Sequence, residues 1–257
     1  MKLTEIIDLE NYPITDAGFQ AKCHKTLEDN GAILLTDFLT KDALKAICDE
    51  GEAKKDLAYF TKDKHNIYIS DADPKYPEDH IRNTLVTSSK GCITDDKVGV
   101  NSPLRILYDD ADFRSFLATV LKEEALYEYA NTLSSINLHY ASEGQELGWH
   151  FDNSSFATTL LIQKPTAGGV FEYQRDTRDA DKGEMNFKEV EKILAGDITP
   201  NTLSQEPGTL ALFRGRNAIH RVTPTEGDVT RMLVVLAYNN KPGIALSASA
   251  SKTFYGV

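Results

Sequence analysis

The chain has 257 residues, of which 41% are hydrophobic and 26% charged, and its formal net charge is −11. This composition predicts one globular domain over residues 1–257, with neither a nucleic-acid partner nor a membrane span, because the charge is acidic and no apolar run is long enough. Three cysteines without metal spacing and early N-terminal acids, which do not fit a secretory signal, indicate a cytoplasmic protein with reduced thiols.

Helices are predicted in the first half of the chain. Thr15 is the expected cap of the first, and Gly31 is its expected stop. Apolar side chains recur at helical spacing in three stretches, at 15–30, from the cap Thr40 to about residue 58, and at 103–121. We therefore expect the part spanning 1–125 to be helical.

Two other features interrupt this helical part. Residues 32–35 form an apolar run that predicts a short buried strand. Residues 62–97 are rich in Asp, Pro, Ser and Gly, and no period holds for long. Such long irregular segments are uncommon inside compact domains and are often functional, so we predict a loop that covers a binding site.

The second half predicts strands separated by Gly and Pro turns. The strand-like runs lie at 135–140, 156–162, 168–173, 209–213 and 232–238, and one amphipathic helix lies at 186–195. A series of this kind predicts a double-stranded β-helix, a cupin-like jelly roll, over 126–257. The expected fold is mainly β with α, with the N-terminal helices packed on this β core.

The motif that indicates chemistry is Gly-Trp-His-Phe-Asp at 148–152. Alternate residues of an extended strand share a face, so His150 and Asp152 could bind one metal ion. His220 follows a second strand-like run, and the order His-x-Asp, long interval, His is that of 2-His-1-carboxylate iron sites. We predict His150, Asp152 and His220 as metal ligands and catalytic centre. Arg231 opens the next strand, where a guanidinium can bind a dicarboxylate cosubstrate through two hydrogen bonds.

Together with this motif, the segments 168–173, 212–216, 220–224 and 253–256 resemble a known family. From about residue 68 to the C-terminus, the sequence resembles the Fe(II)/2-oxoglutarate-dependent oxygenase superfamily. Within it, the sequence is similar to the branch of radical halogenases and hydroxylases that act on free amino acids, typified by lysine halogenases. The resemblance implies Fe(II) and 2-oxoglutarate as cofactors, with O₂ as cosubstrate, and hydrogen abstraction by a ferryl species followed by hydroxyl rebound.

Asp152 separates two outcomes within this branch. Its halogenases have a small residue in place of the carboxylate, and halide takes the vacated position on the metal. The retained Asp152 therefore implies hydroxylation of a free amino acid, lysine or a similar cationic one. Halogenation, desaturation and ring closure at the same iron remain alternatives, as do a cupin-like enzyme without 2-oxoglutarate and a non-catalytic β-roll binding module.

Five other residues are candidates for ligand contacts. His139 and Thr159 are placed to line the 2-oxoglutarate pocket, although a structural histidine and an ordinary strand threonine are the alternatives. Arg82 can bind an amino-acid carboxylate, and Glu146 and Asn153 can meet a substrate amine. Ordinary surface positions are the alternatives for these three. A homodimer is compatible with the sequence, which does not fix the oligomeric state.

Overall fold

The computed structural model describes residues 1–246, 251, 255 and 256. Its α-helices are α1 (Leu3–Ile6), α2 (Ala17–Asn30), α3 (Lys41–Lys54), α4 (Pro103–Asp109), α5 (Ala111–Leu121) and α6 (Phe187–Ala195). Its first strands are β1 (Ala32–Leu35), β2 (Tyr59–Asn66), β3 (Leu85–Ile93), β4 (Ile136–Ala141), β5 (Leu147–His150) and β6 (Ala157–Gln163). The remaining strands are β7 (Ala167–Gly168), β8 (Phe171–Gln174), β9 (Asn201–Leu203), β10 (Leu210–Phe213), β11 (Ile219–Val222), β12 (Thr225–Glu226) and β13 (Arg231–Leu236). Of the tail segment 253–256 that supported the resemblance, residues 253 and 254 lie outside the described residues.

The strands form a curled antiparallel sheet of eleven strands. Its order is β1-β10-β6-β13-β4-β3-β5-β11-β8-β9, with β2 beside β3, and a two-stranded sheet of β12 and β7 accompanies it. Strand β2 pairs with one edge of β3, and β4 and β5 follow one another along the opposite edge, which joins the two layers of the roll. The predicted jelly roll with N-terminal helices is confirmed. No helix among the described residues is long and apolar enough to cross a membrane.

The main core lies between the helices and the outer face of one layer. Leu138, Leu160, Leu212 and Val234, from four neighbouring strands, are at most 2% exposed and pack there. Because strand side chains alternate between faces, the residues next to them point into the roll. Helical side chains such as Phe116 complete this core.

Two helix predictions need correction. Asp16, not Thr15, caps α2, and its side chain accepts a hydrogen bond from the Phe19 backbone N–H. Residues 103–121 form two helices, because Asp110 leaves the helical conformation and caps α5. Its Oδ1 accepts from Phe113 N at 2.9 Å, and short polar side chains of this kind favour caps over helix interiors.

The predicted helix after Thr40 was placed correctly at its start. The Thr40 side chain accepts from Ala43 N, and α3 is followed by a 3₁₀ turn over Lys55–Leu57, so the helical region ends close to the predicted residue 58. Gly31 ends α2 as predicted, with φ at 72°, a conformation that glycine adopts without strain.

The prediction of an irregular segment over 62–97 was wrong at residues 62–66 and 85–93, which form strands, whereas residues 67–84 contain neither helix nor strand. Strands β2 and β3 pair antiparallel through eight residue positions, from Tyr59 opposite Cys92 to Asn66 opposite Leu85. Exposed charges on β2, at Lys62, Asp63 and Lys64, hide the apolar alternation that marks a strand. The part spanning 1–125 is therefore not purely helical, because it also supplies β1, β2 and β3 to the large sheet.

Candidate metal centre

The two histidines of the motif face each other across paired strands. His150 ends β5, and His220 on β11 lies directly opposite it in the antiparallel register. Asp152 follows β5 by two residues, and its Oδ1 lies 3.5 Å from His220 Nε2 and 3.9 Å from His150 Nε2. The three possible ligand atoms all lie within 4.8 Å of one another, which is compatible with one shared ion.

Backbone carbonyls orient both imidazole rings. Nδ1 of His150 lies 2.7 Å from the Gly148 carbonyl oxygen, and Nδ1 of His220 lies 2.9 Å from that of Ala218. A ring whose Nδ1–H donates to a carbonyl keeps the lone pair on Nε2, which is the atom that faces Asp152 in each case. Metal-binding histidines are oriented in this way.

The protonation states favoured here suit a metal ion. Burial, and then the neighbouring His220, lower the pKa of His150 to about 3, so this ring is neutral. Burial alone would raise the pKa of Asp152, but His220 and His150 outweigh it and lower that pKa, so the carboxylate is ionised. Neutral imidazole and ionised carboxylate are the forms that coordinate metals.

Gly215 leaves the room that the Asp152 carboxylate occupies. A Cβ at residue 215 would lie 1.8 Å from Asp152 Oδ2 and 2.6 Å from its Cγ, so a larger residue cannot fit without displacing the carboxylate. The Asp152 backbone N–H also donates to the Gly215 carbonyl at 3.1 Å. The turn after β10 therefore fixes the position of the carboxylate, and the donor set with this cradle fits a small divalent cation such as Fe(II).

Arg231 is a buried cation that faces the inside of the roll. It begins β13 and is only 7% exposed, and its guanidinium makes no hydrogen bond or ion pair with side chains or backbone of the described part of the chain. Burial lowers its pKa to about 10. It lines a 280 Å³ cavity together with Leu161 and Phe171, and the Phe171 ring lies 5.5 Å from that of His220. An anionic ligand in this cavity would offset the cost of burying the charge.

A sequence model of the family described as Halogenase D matches residues 15–253. The chain belongs to this family. A search of curated proteins finds no match.

Solved structures similar to this halogenase D family member share its fold. One is a 2OG-Fe(II) oxygenase family oxidoreductase from Burkholderia pseudomallei, with a TM-score of 0.56 and 12% identity over 89% of this chain and 94% of that chain. A prolyl-4-hydroxylase from Pseudomonas putida has a TM-score of 0.52 and 12% identity, covering 84% and 96%. The epimerase SnoN, solved with Fe³⁺ and alpha ketoglutarate, has a TM-score of 0.58 and 10% identity, covering 87% and 84%.

His139 and Thr159 both lie on strand faces that point into the roll of this family member. His139 on β4 pairs with Leu233, and burial, Lys90 and Arg231 together lower its pKa well below the usual value. Thr159 lies on β6 two residues before Leu161, on the face that lines the cavity with Arg231. Contact of either residue with a cofactor stays a prediction.

The three predicted substrate residues are not gathered at one place. Glu146 borders a small cavity beside Leu147 and Arg231. Asn153 is exposed, and its carbonyl accepts from Arg216. Arg82 donates to the Asp71 carbonyl and lies 5.4 Å from the centre of the Tyr68 ring.

The Arg82 position is separated from the metal centre by a strand. Tyr68 stacks on Phe151, and Phe151 points away from the face that carries His150 and Asp152. Arg82 therefore lies with the apolar cluster behind the motif, and its contact with substrate stays a prediction.

Two residues near the centre were missed from the sequence. The His65 ring lies 6.1 Å from the His150 ring at 88°, and its Nε2 lies 2.7 Å from Ser88 Oγ. Lys90 Nζ lies 3.2 Å from His139 Nε2. His65 lies on β2 and Lys90 lies on β3, and the sequence pattern did not show that these strands pair. The parts of residues 62–97 that approach the site are thus the strands β2 and β3.

Proposed function

We propose that this halogenase D family member is an Fe(II)/2-oxoglutarate-dependent hydroxylase of a free amino acid, lysine or a similar cationic one. The observation that carries the proposal is the convergence of His150, His220 and the retained carboxylate of Asp152. Two imidazoles and one carboxylate form the facial triad of non-haem iron oxygenases. Arg231 adds the buried cation that a dicarboxylate cosubstrate requires.

Each residue has a defined part in this proposal. His150, Asp152 and His220 hold the iron, and Arg231 binds the distal carboxylate of 2-oxoglutarate. When bound, iron, 2-oxoglutarate and O₂ supply the oxidising power that converts a substrate C–H bond to C–OH. Apolar side chains such as Leu161 and Phe171 restrict water around the cosubstrate.

The choice of a cationic substrate has two supports. The chain carries a net charge of −11, which favours approach of cations over anions. Glu146 borders the small cavity beside Leu147, where its carboxylate could pair with a substrate ammonium group. Free lysine fits both observations, because it is a cation and offers ammonium groups that could pair with Glu146.

Halogenation is the second candidate, because the matching family is described as Halogenase D. Asp152 argues against it. The carboxylate occupies the position that halide takes in halogenases with a small residue there. The Asp152 backbone N–H donates to the Gly215 carbonyl, so this residue is held in place beside the two histidines. The proposal therefore assigns hydroxylation to the wild-type chain.

The test measures succinate release by the iron-loaded enzyme with 2-oxoglutarate and each free amino acid in turn, with and without chloride. We expect one or a few cationic amino acids to stimulate succinate release and to gain one oxygen by mass spectrometry. The matched variant is Asp152→Gly, which opens the halide position. A chlorinated product from the wild type would overturn the role of Asp152, and stimulation only by neutral or acidic amino acids would overturn the substrate class.

A further inference from the structure

The three ligand candidates of the metal centre are held by the chain in different ways. His150 and His220 lie on β5 and β11, directly opposite each other in the antiparallel register. Asp152 lies two residues beyond the end of β5, in a stretch without regular secondary structure. Strand pairing therefore fixes the two histidines, whereas the position of Asp152 depends on contacts that other segments supply.

Both backbone groups of Asp152 are hydrogen-bonded. Its N–H donates to the Gly215 carbonyl at 3.1 Å. Its carbonyl oxygen accepts from Nη2 of Arg178 at 3.3 Å. Because both groups are bonded, the backbone of Asp152 has little freedom, and its side chain fills the space that Gly215 leaves for the carboxylate. Arg178 thus supplies one of the two backbone bonds of this candidate ligand.

Arg178 is a buried arginine that bridges two segments of the site. It lies in the loop between β8 and α6 and is 8% exposed. Its Nε donates to the Arg216 carbonyl at 2.8 Å, one residue after Gly215. A guanidinium is planar and has several donors in fixed directions, so one side chain can hold this carbonyl and that of Asp152 together. Arg178 therefore joins the residue that offers the carboxylate to the turn that receives it.

The aromatic ring before Asp152 also contacts Arg178. The guanidinium carbon lies 4.2 Å from the centre of the Phe151 ring, which is within the range of a cation–π contact. Phe151 is fully buried, so its ring is a fixed surface under the guanidinium. This contact leaves the donors of Arg178 directed at the two carbonyl groups.

Backbone contacts hold the Arg178 loop against the same turn. The N–H groups of Thr177 and Arg178 donate to the Asn217 carbonyl at 3.0 and 3.3 Å. The Ala180 N–H donates to Oδ1 of Asn217 at 3.0 Å. The Arg178 side chain therefore extends from a backbone that is itself fixed beside Gly215.

We propose that Arg178 is a positioning residue for the metal centre, which fixes the backbone of Asp152 so that the carboxylate lies beside His150 and His220 before the ion binds. This inference rests on the proposed function. A ligand that is already in place loses less conformational freedom when the ion arrives, so the ion binds more tightly. The two histidines need no such support from Arg178, because the pairing of β5 with β11 holds them.

The experiment measures binding of Co(II), a visibly absorbing probe for the Fe(II) site, to the full-length protein without 2-oxoglutarate. Affinity is obtained by calorimetry, and the d–d absorbance responds to the ligands around the ion. The variants are Arg178→Met, Arg178→Lys, Asp152→Gly and the double variant that combines Arg178→Met with Asp152→Gly. Lys182→Met is the control, because Lys182 is exposed and pairs with Asp179 in the same loop.

We expect Arg178→Met to weaken Co(II) binding by about 10- to 100-fold, as loss of other residues that orient metal ligands does. Its d–d absorbance should shift toward that of Asp152→Gly, because the carboxylate is no longer held at the ion. Arg178→Lys should recover part of the affinity, since an ammonium group can still donate to a carbonyl but lacks the planar fork. Lys182→Met should bind Co(II) as the wild type does.

The double variant tests whether Arg178 acts through Asp152. In the Asp152→Gly background, Arg178→Met should cause no further loss of Co(II) affinity, because no carboxylate is left to position. A residue that supports only the fold would weaken binding equally in both backgrounds, so the comparison separates the two roles.

Two results would overturn the role of Arg178. One is unchanged Co(II) affinity in Arg178→Met, and the other is an equal loss of affinity in the wild-type and Asp152→Gly backgrounds. If Arg178→Met is unfolded by circular dichroism, Arg178→Gln replaces it under the same criteria. A wild-type protein that binds the metal but not 2-oxoglutarate would instead refute the proposed function and leave the role of Arg178 intact.

Discussion

Strands β5 and β11 carry two faces of opposite character on the same backbone. The inner face presents His150 and His220 to the inside of the roll, with Asp152 beside them. The outer face presents Trp149 and Ile219, which belong to an apolar cluster that also contains Phe151 and residues of α6. One face is polar and open to ligand, whereas the other is a dry core.

The comparison teaches that the outer face fixes the direction of the inner one. Alternation along a strand means that burying Trp149 and Phe151 outward turns His150 inward. Phe151 is 0% exposed, and its backbone N–H donates to the Ile67 carbonyl at 2.9 Å. A slip of one residue would bury His150 and expose Trp149, so the apolar cluster sets the register on which the metal centre depends.

The largest effects are expected from two variants that test the two faces separately, one with a mutation on the inner face and one with a mutation on the outer face. His220→Ala removes a proposed ligand and should abolish turnover and iron binding, because an open two-ligand site holds the ion weakly. Phe151→Ala is the outer-face partner. It should lower the free energy of unfolding by about 3–5 kcal/mol while the fraction that remains folded still binds iron.

Iron binding by calorimetry and unfolding by denaturant measure these two variants. Wild-type iron affinity in His220→Ala would remove His220 from the ligand set. Full stability of Phe151→Ala would show that the outer cluster does not support the strand.

The second prediction extends the inner face to the cosubstrate. Arg231→Met should raise the Kd for 2-oxoglutarate more than about tenfold, since loss of a buried charge-assisted pair costs about 2–5 kcal/mol. Iron affinity should be unchanged, because Arg231 is not among the three ligand candidates. An unchanged requirement for 2-oxoglutarate, measured by succinate release over a concentration series, would place the anchoring cation elsewhere.

The sequence predicted the inner face better than its surroundings. His-x-Asp at the end of a strand and a later His on another strand have a local pattern, and the structure brings all three side chains together. This result follows from the period of two in a strand, which the sequence displays directly.

Residues brought in by long-range pairing were not predictable in this way. His65 lies on β2 and Lys90 lies on β3, and exposed charges on β2 mask the strand period. Their place near the centre depends on β3 pairing with β4 and β5, which no local pattern specifies. The break at Asp110 was missed for another reason, because the apolar spacing continues across it while the backbone does not.

The third prediction tests how tightly the inner face is packed. Gly215→Ala places a methyl group where Asp152 Oδ2 lies, so the carboxylate must move. Iron affinity should fall by about 10- to 100-fold, as for other residues that orient metal ligands. Gly99→Ala is the control, since a Cβ there meets only Glu50 Oε1 at 3.6 Å. Equal iron affinity in both variants would show that Asp152 has freedom to rotate.

The smallest expected effect concerns an ion pair on the outer face. Arg221 on β11 pairs with Glu172 on β8, with 2.7 Å between Nε and Oε2, and its guanidinium lies 4.7 Å from the centre of the Trp149 ring. The Arg221 side chain is 37% exposed, so solvent screens the pair. Glu172→Gln should therefore lower the free energy of unfolding by only about 0.2–1 kcal/mol.

The residual effect of Glu172→Gln should also depend on salt. A glutamine keeps a hydrogen-bond acceptor near Arg221, and the guanidinium keeps its contact with Trp149, so only the screened Coulomb attraction is lost. Denaturant unfolding at low and high salt should show a difference from wild type that shrinks as salt rises, and exposed Glu143→Gln is the control. Iron affinity should not change, because Arg221 points away from its neighbour His220 along β11. A loss of iron affinity as large as that of Gly215→Ala would mean that charge on the outer face controls the inner one, and that packing of Trp149 and Phe151 alone does not set the register.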